Sequence, residues 1–109
     1  MLELTPQQMA ILERLRERGF AFAAFPLYAS YIGVKKGNCA ALLSPQNGAG
    51  MNVYSEASYL VKGQLSVRVQ RGGREFFVWK KSEWEATPER CAELARFRAE
   101  LDELLLPVE

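Results

Sequence analysis

The stretch from Gln64 to Lys81 constrains this chain most, because it has the pattern of a β-hairpin with a two-residue turn. The segment before the turn, LSVRVQR, alternates apolar and polar residues with a period of two. Gly72-Gly73 supplies the turn, and the run EFFVW returns along a second strand. The sequence therefore predicts an antiparallel sheet around this hairpin.

A two-residue turn also fixes which side chains share a face of the hairpin. One face is apolar, and we predict that it meets the core: Val67, Val69, Phe76 and Val78. The opposite face mixes two aromatic rings with cations, amides and a hydroxyl: Phe77 and Trp79 among Arg68, Lys81, Gln64, Gln70 and Ser66. Large apolar groups thus occur on both faces, and the second face needs an explanation.

Three interpretations of the mixed face remain open, in this order of preference. In the first, the face is structural and is covered by a helix or by a cation–π contact of Arg68 with Phe77. In the second, the face is a protein interface, where Trp, Tyr and Arg are favoured. In the third, the face binds nucleic acid or another anionic ligand, because aromatic rings stack on bases and cations bind phosphates. The candidate binding residues are Arg68, Gln70, Phe77, Trp79 and Lys81.

Two amphipathic helices are predicted, one near each end of the chain. Thr5 is followed by proline at the first helical position and by glutamine three residues after the cap, which predicts a helix over residues 6–18. Thr87 and Pro88 predict a second helix over residues 88–106, with its entrance among solvated carboxylates. We expect one leucine stripe on each helix to be buried: Leu12 and Leu15, then Leu94 and Leu101.

The remaining segments complete an α+β fold. Gly37-Asn38 between two short apolar runs predicts a hairpin over residues 32–43. Residues 20–31 are rich in aromatic side chains and contain Pro26, so we expect an extended or turned segment; residues 44–58 are expected to be a loop or a short edge strand. The chain is predicted to form a single domain over residues 1–109, an antiparallel sheet of four or five strands with both helices packed on one face.

Charge is distributed unevenly along the chain although the net charge is only +1. Residues 31–81 hold eight basic and two acidic side chains, and residues 82–109 hold three basic and eight acidic ones. We expect the acidic end to fold back onto the basic middle so that the charges meet at the rim. The alternative is that the basic middle faces an anionic ligand.

The absence of histidine limits the chemistry of the chain. It excludes Ser-His and Cys-His catalysis and histidine-containing zinc sites, and we expect neither a metal nor a cofactor. Cations at Lys35 and Lys36 near Cys39 favour a reactive thiolate. The run Cys-Ala-Ala-Leu-Leu is more typical of a small buried residue, so we expect an unreactive thiol.

These features predict a non-catalytic regulatory or adaptor-type protein that engages a macromolecular partner through its sheet region, as a homodimer or with another protein. Nucleic-acid or anionic-ligand binding by the mixed face is one alternative, and a small enzyme using Cys39 or a tyrosine is the other. The start MLELTPQQ lacks a secretory signal, and the longest charge-free apolar stretch, the 16 residues from Gly19 to Val34, is too short for a membrane helix of ~20. We expect a cytoplasmic protein that does not bind membranes.

Overall fold

The computed structural model describes residues 4–25, 28, 30–45 and 50–105. The described residues form two helices and seven strands: α1 (Pro6–Glu17), β1 (Ala21–Ala23), β2 (Ile32–Lys36), β3 (Cys39–Pro45), β4 (Met51–Tyr59), β5 (Val67–Arg71), β6 (Arg74–Trp79), β7 (Ser82–Glu85) and α2 (Pro88–Leu104). Pro26, Pro107 and residues 46–49 lie outside the described residues.

The strands form two antiparallel sheets. The first has the order β1-β2-β3-β4, and the second has the order β5-β6-β7. The predicted hairpin over residues 32–43 is confirmed as β2 and β3, with Gly37 and Asn38 in the turn. The α+β class with a helix near each terminus is also confirmed, although the strands divide over two sheets where one was expected.

Both helices begin at the caps that the sequence indicates. The amide of Gln8 donates to Thr5 Oγ1 over 3.2 Å, and the amide of Thr5 donates to Gln8 Oε1 over 3.0 Å, which forms a capping box. At α2, the amide of Arg90 donates to Thr87 Oγ1 over 3.2 Å. Gly19 follows α1 with a φ of +93°, a conformation that favours glycine at a helix end.

One hydrophobic cluster joins both helices to one face of the first sheet and to the second sheet. Its members include Ile11 and Leu15 of α1, Phe97, Leu101 and Leu104 of α2, Val34, Leu43 and Tyr59 of the first sheet, and Phe77 of β6, together with Phe20 between α1 and β1. Leu12 and Leu94 pack against this cluster and are partly buried. A smaller cluster, with Phe25 packed on Ala40 and Leu42, covers the other face of β3.

The segment expected to be a loop or a short edge strand contains β4, a nine-residue strand. The pairing of β3 with β4 shifts its register between Ala40 and Leu42. Such an irregularity inserts extra residues into one strand, so apolar and polar residues no longer alternate along it. The edge-strand alternative is therefore confirmed, since β4 lies at the edge of the first sheet, but the strand is longer than expected.

β7 is a second difference from the prediction. Glu83 and Glu85 were expected at the entrance of the second helix, but they lie in a strand paired with β6. The turn between these strands consists of Lys80 and Lys81, and Lys80 has a φ of +55°. Because a turn with positive φ usually contains glycine or asparagine, this one lacks the residues that normally mark a hairpin.

Candidate functional site

The pairing of β5 with β6 is the one that the two-glycine turn predicts. Arg68 lies opposite Phe77, and the ladder runs from Val67 opposite Val78 to Arg71 opposite Arg74, so residues 64–66 lie outside it although the turn predicted that they pair as well. Gly72 and Gly73 have φ angles of +57° and +78°, which side chains with a Cβ adopt only at a cost. The predicted register of this hairpin is therefore confirmed.

The face of the hairpin that meets the core is the opposite of the predicted one. Phe77 is 2% exposed and stacks on Tyr59 with ring centroids 5.1 Å apart, whereas Val67 is 64% exposed. The other three residues of the expected core face are half-buried: Val69, Phe76 and Val78. Alternation groups side chains by face but does not choose the buried face when both carry apolar groups. Phe77 is buried because its face packs against the cluster that contains Tyr59 and Phe97.

The five candidate binding residues do not form one open surface. Phe77 is in the core, and the guanidinium of Arg68 lies over its ring at 5.5 Å from the centroid. Trp79 is half-buried, and the ammonium of Lys80 lies 4.8 Å from its ring centroid. Gln70 and Lys81 are exposed, and the side chain of Arg68 remains exposed in part. In this conformation the ring of Phe77 is not accessible to a ligand.

Arg68 connects three elements at this position. Its Nε lies 3.2 Å from a carboxylate oxygen of Glu75 on β6, and its Nη2 donates to Cys91 Sγ on α2 over 3.2 Å. With the guanidinium also over Phe77, the side chain closes the core where β5 meets α2. Its first role in the fold is therefore structural, although the side chain is still 44% exposed.

The outer side of β5 is a free strand edge, since β5 is the first strand of its sheet and no described strand pairs with that side. The carbonyl of Glu75 accepts a hydrogen bond from the amide of Ala86 over 2.8 Å, which directs it away from β5. In an antiparallel ladder, the residue opposite such a position also directs its N–H and C=O away from the pair. Gln70, opposite Glu75, and Arg68, two residues earlier, therefore present these groups along the outer edge.

β4 and β5 meet through two serine side chains, which we call the serine clasp. Ser58 Oγ donates to the carbonyl of Ser66 over 3.0 Å, and Ser66 Oγ donates to the carbonyl of Tyr59 over 2.6 Å. Since β4 and β5 are the edge strands of different sheets, side chains replace a backbone ladder at their junction. The carbonyl of Ser66 is on the same outer edge as those of Arg68 and Gln70, because alternate residues of a strand point the same way.

Two cavities of about 230 Å³ each lie between the edge strands, and we call them together the edge cleft. Both are lined by the same four residues: Glu56, Ser58, Ser66 and Val67. One cavity extends to Phe77 and to α2, and the other extends to exposed Tyr54. The edge cleft thus brings together a free backbone edge, exposed apolar side chains and few charges.

A third cavity, of about 240 Å³, borders the start of β5. Its walls are mostly apolar or aromatic, with one amide and one ammonium group: Phe25, Tyr28, Leu65, Val67, Val78 and Trp79, with Gln64 and Lys80. We call it the aromatic cavity. Val67 lines this cavity as well as the edge cleft, so the most exposed valine of β5 lies at the centre of all three cavities.

The sequence reasoning did not select Ser58, Ser66 or Val67. The two serines have no spacing that distinguishes them from surface serines, and Val67 was assigned to the core. Their importance depends on how the edges of two separate sheets meet, which no local pattern encodes. A free edge becomes visible only once the strand order is known.

Cys39 is fully buried, and burial raises the pKa of its thiol to about 12, with the nearby carboxylate of Glu93 adding to the shift. The thiolate is the nucleophilic form of cysteine. A thiol with so high a pKa is protonated at neutral pH, so this geometry disfavours the use of Cys39 as a nucleophile.

The tyrosines have structural contacts. Tyr31 and Tyr54 stack with ring centroids 4.1 Å apart, and a hydrogen bond with Tyr54 raises the pKa of Tyr31. Tyr59 is buried against Phe77, and burial is the main cause that raises its pKa. A raised pKa makes a phenol a poorer acid at neutral pH, so neither contact is of the kind that activates tyrosine.

The acidic C-terminal part of the chain does meet its basic middle. The ammonium of Lys36 lies 2.9 Å from a carboxylate oxygen of Glu100, and Glu93 accepts a hydrogen bond from the amide of Asn38 over 3.0 Å. Two further ion pairs connect the 72–73 hairpin with β7: Arg71 with Glu83, and Arg74 with Glu85. Carboxylates from α2 and β7 therefore partner much of the basic region within the chain.

Among residues 4–25, 28, 30–45 and 50–105, no group of three or more Cys, Asp or Glu side chains could hold a metal ion, and no helix has the length and hydrophobicity to span a membrane. No protein-family model, curated protein or solved structure matched the chain in three comparisons.

Proposed function

We propose that this chain is a non-catalytic binding protein, of a regulatory or adaptor type, that captures an extended segment of a protein partner by strand addition to the outer edge of β5. The observation that carries this proposal is the direction of the Arg68 and Gln70 backbone groups, which point out of the sheet beside exposed Val67. An added strand would hydrogen-bond to these groups, and its side chains would enter the cavities on either side.

An added strand would be stabilised by the same interactions that stabilise any edge strand of a β-sheet. Each backbone hydrogen bond exchanged with water contributes about 0.5–1.5 kcal/mol net. Covering the exposed side chain of Val67 adds a favourable term in proportion to the apolar area removed from water. The preformed edge also reduces the ordering cost on the side of the receiving protein.

The polar groups of the edge cleft support binding over catalysis. The hydroxyl groups of Ser58 and Ser66 donate to backbone carbonyls in the serine clasp. Glu56 is an exposed carboxylate in this cleft.

The same proposal places the protein in a reducing compartment such as the cytoplasm. The free thiols of Cys39 and Cys91 support this location, because thiols stay reduced there.

Nucleic-acid or anionic-ligand binding is a second candidate, and the aromatic cavity favours it. The half-buried ring of Trp79 and the partly exposed ring of Tyr28 border a space with the ammonium of Lys80 at its wall. Rings of this kind stack on bases, and a nearby cation meets phosphate. A titration of labelled single-stranded RNA at low salt tests it, and absence of binding would remove this candidate.

The experiment for strand addition compares two variants of the same residue. The amide of Gln70 points out of the sheet, so Gln70→Pro removes a donor from the free edge and leaves the β5–β6 ladder complete. Gln70→Thr removes the same side chain but keeps the amide. Octapeptides are first selected from a random displayed library on the full chain, and their affinity is then measured by fluorescence anisotropy.

We expect Gln70→Pro to bind the selected octapeptides about tenfold more weakly than Gln70→Thr, because one backbone hydrogen bond is lost and the proline ring blocks the approach. Equal binding by the two variants would show that the backbone edge is not used. Recovery of no octapeptide from the library would count against strand addition altogether.

A further inference from the structure

We propose that the aromatic cavity binds a small aromatic carboxylate, a planar ring that carries one acidic group. The cavity walls contain three aromatic rings, from Phe25, Tyr28 and Trp79, and the ammonium of Lys80. An engineered apolar cavity of ~150 Å³ holds benzene. The volume here is about 240 Å³, which accommodates one ring with its carboxylate. This site goes beyond the capture of a protein segment and does not depend on it.

Lys80 determines the charge of the ligand that fits the cavity. Among the described residues that line the cavity, Lys80 is the one charged side chain. Its ammonium lies 4.8 Å from the centroid of the Trp79 ring, and it forms no ion pair with a described carboxylate. An anionic ligand is attracted to this ammonium, and a cationic ligand is repelled by it.

Gln64 supplies a second polar group at the wall of the cavity. Its backbone is held by two hydrogen bonds with Val61, each of 3.0 Å, and the residue is half-buried. Its side-chain amide has no hydrogen bond with a described residue, so the amide is available to donate to a carboxylate oxygen. A few polar groups in a mostly apolar cavity are typical of small-molecule sites.

Short turns hold the side chains that face the ligand. The amide of Tyr28 donates to the Phe25 carbonyl over 2.7 Å, which places both rings at the ends of one turn. The turn between β6 and β7 places Lys80 directly after Trp79. Because these positions are set by the backbone, a ligand orders few parts of the protein when it binds, and the entropic cost of binding is reduced.

The backbone conformation of Lys80 is unusual for a residue with a Cβ. Its φ is +55°, and the other non-glycine residue with a positive φ in the described part of the chain is Lys62, at +53°. Such conformations cost free energy, and they are frequent at ligand sites. Lys62 lies two residues before Gln64, but it is not among the residues that line the cavity. Lys62 is therefore a matched control for Lys80.

A nucleic acid fits this cavity less well than a small acid does. A single strand needs cations that follow its backbone and a succession of rings for its bases. The cavity offers one cation, and the neighbouring arginines of the hairpin, Arg71 and Arg74, already pair with glutamates of β7. One ring with one carboxylate matches the groups that are present.

The first test compares benzoate with benzamide, its uncharged counterpart of the same shape. The isotope-labelled full chain is titrated with each compound, and binding is followed by NMR chemical shifts. We expect benzoate to shift the indole N–H of Trp79 saturably, with a dissociation constant on the order of 1 mM for a ligand of so few atoms. We expect benzamide to bind about tenfold more weakly, because it lacks the charge that Lys80 attracts.

Equal affinity for the two compounds would overturn the inference, and so would benzoate shifts that map away from the cavity. Both results come from the unmodified chain, so the test does not require a variant to fold. A failure of benzoate to bind would also overturn this site. It would leave strand addition intact, because the octapeptide comparison at Gln70 tests that proposal separately.

Two lysine variants then assign the charge to its residue. Lys80→Asn and Lys62→Asn each remove one cation, and asparagine tolerates a positive φ better than most residues. We expect Lys80→Asn to weaken benzoate binding about tenfold and to leave benzamide binding unchanged. Lys62→Asn should change neither. Equal weakening of benzoate binding by both variants would show an effect of net charge alone and would overturn the role of Lys80.

Discussion

The guanidinium carbon of Arg68 lies 5.5 Å from the centroid of the Phe77 ring, and the two residues are directly opposite each other in the β5–β6 ladder. The ring is buried and the guanidinium is partly exposed. This pair therefore marks the boundary at which the hydrophobic core ends and the edge cleft begins. It also explains why the mixed face of the hairpin carries aromatic residues: that face closes the core.

Phe77→Ala should lower the free energy of unfolding by about 3–5 kcal/mol, because it removes a large ring from the core and leaves a cavity. Val67→Ala on the opposite face should change it by less than about 0.5 kcal/mol, because Val67 is exposed. Urea denaturation followed by tryptophan fluorescence measures both. A larger loss for Val67→Ala than for Phe77→Ala would restore the face assignment expected from the sequence.

Proline substitutions should distinguish the two sides of β5. Gln70→Pro should leave the free energy of unfolding within about 1 kcal/mol of the unmodified chain, because its amide points out of the sheet. Val69→Pro should lower the free energy of unfolding by about 1–3 kcal/mol more than Gln70→Pro does, which is the cost of a buried ladder hydrogen bond left unmade. Thermal denaturation of both variants checks the direction of these amides. Equal destabilisation would mean that the outer edge of β5 is not free.

Most of the fold was predictable because its signals are local. The capping box at Thr5 and the proline at the start of α2 determine where the helices begin, and both are short-range hydrogen-bond patterns. The turns at Gly37-Asn38 and Gly72-Gly73 fix their hairpins in the same way. The length of β4 was missed because it pairs through an irregular register, and β7 was missed because it follows a turn of two lysines.

The candidate site was predictable only in part, because its decisive feature is not local. The register that pairs Arg68 with Phe77 follows from the turn, and it was correct. The choice of the buried face depends on the position of α2, which packs through Leu94 and Phe97 on the side of Phe77. The edge cleft forms where the two sheets meet, and residues far apart in sequence determine how these sheets pack.

The serine clasp should contribute measurably to the junction of the two sheets. Ser66→Ala removes the hydroxyl that donates to the Tyr59 carbonyl, so we expect a loss of about 0.5–1.5 kcal/mol in the free energy of unfolding. Ser30→Ala, at an exposed turn position, serves as the control. Urea denaturation of both variants gives the comparison. If the two variants have the same free energy of unfolding, the serine clasp contributes nothing measurable to stability.

Cys39 should make the chain less stable at alkaline pH. Burial raises the pKa of its thiol from the ordinary value of 9.0 to about 12 in the folded chain. Below pH 9 the thiol is neutral in both states, so it adds no pH dependence. Between pH 9 and about 12 the unfolded chain loses this proton more readily than the folded chain, and the free energy of unfolding falls as pH rises.

Urea denaturation at several pH values between about 8 and 11 measures this effect, with Cys39→Ala as the comparison, because tyrosine and lysine also titrate in this range. We expect the stability of the unmodified chain to fall more steeply with pH than that of Cys39→Ala. A thiol reagent at pH 8 should modify the partly exposed Cys91 first and reach Cys39 only through unfolding. The opposite result would be equal pH dependence of stability in the unmodified chain and Cys39→Ala, together with rapid modification of Cys39 in the folded chain. That result would show that this thiol is accessible, and it would favour the small-enzyme alternative.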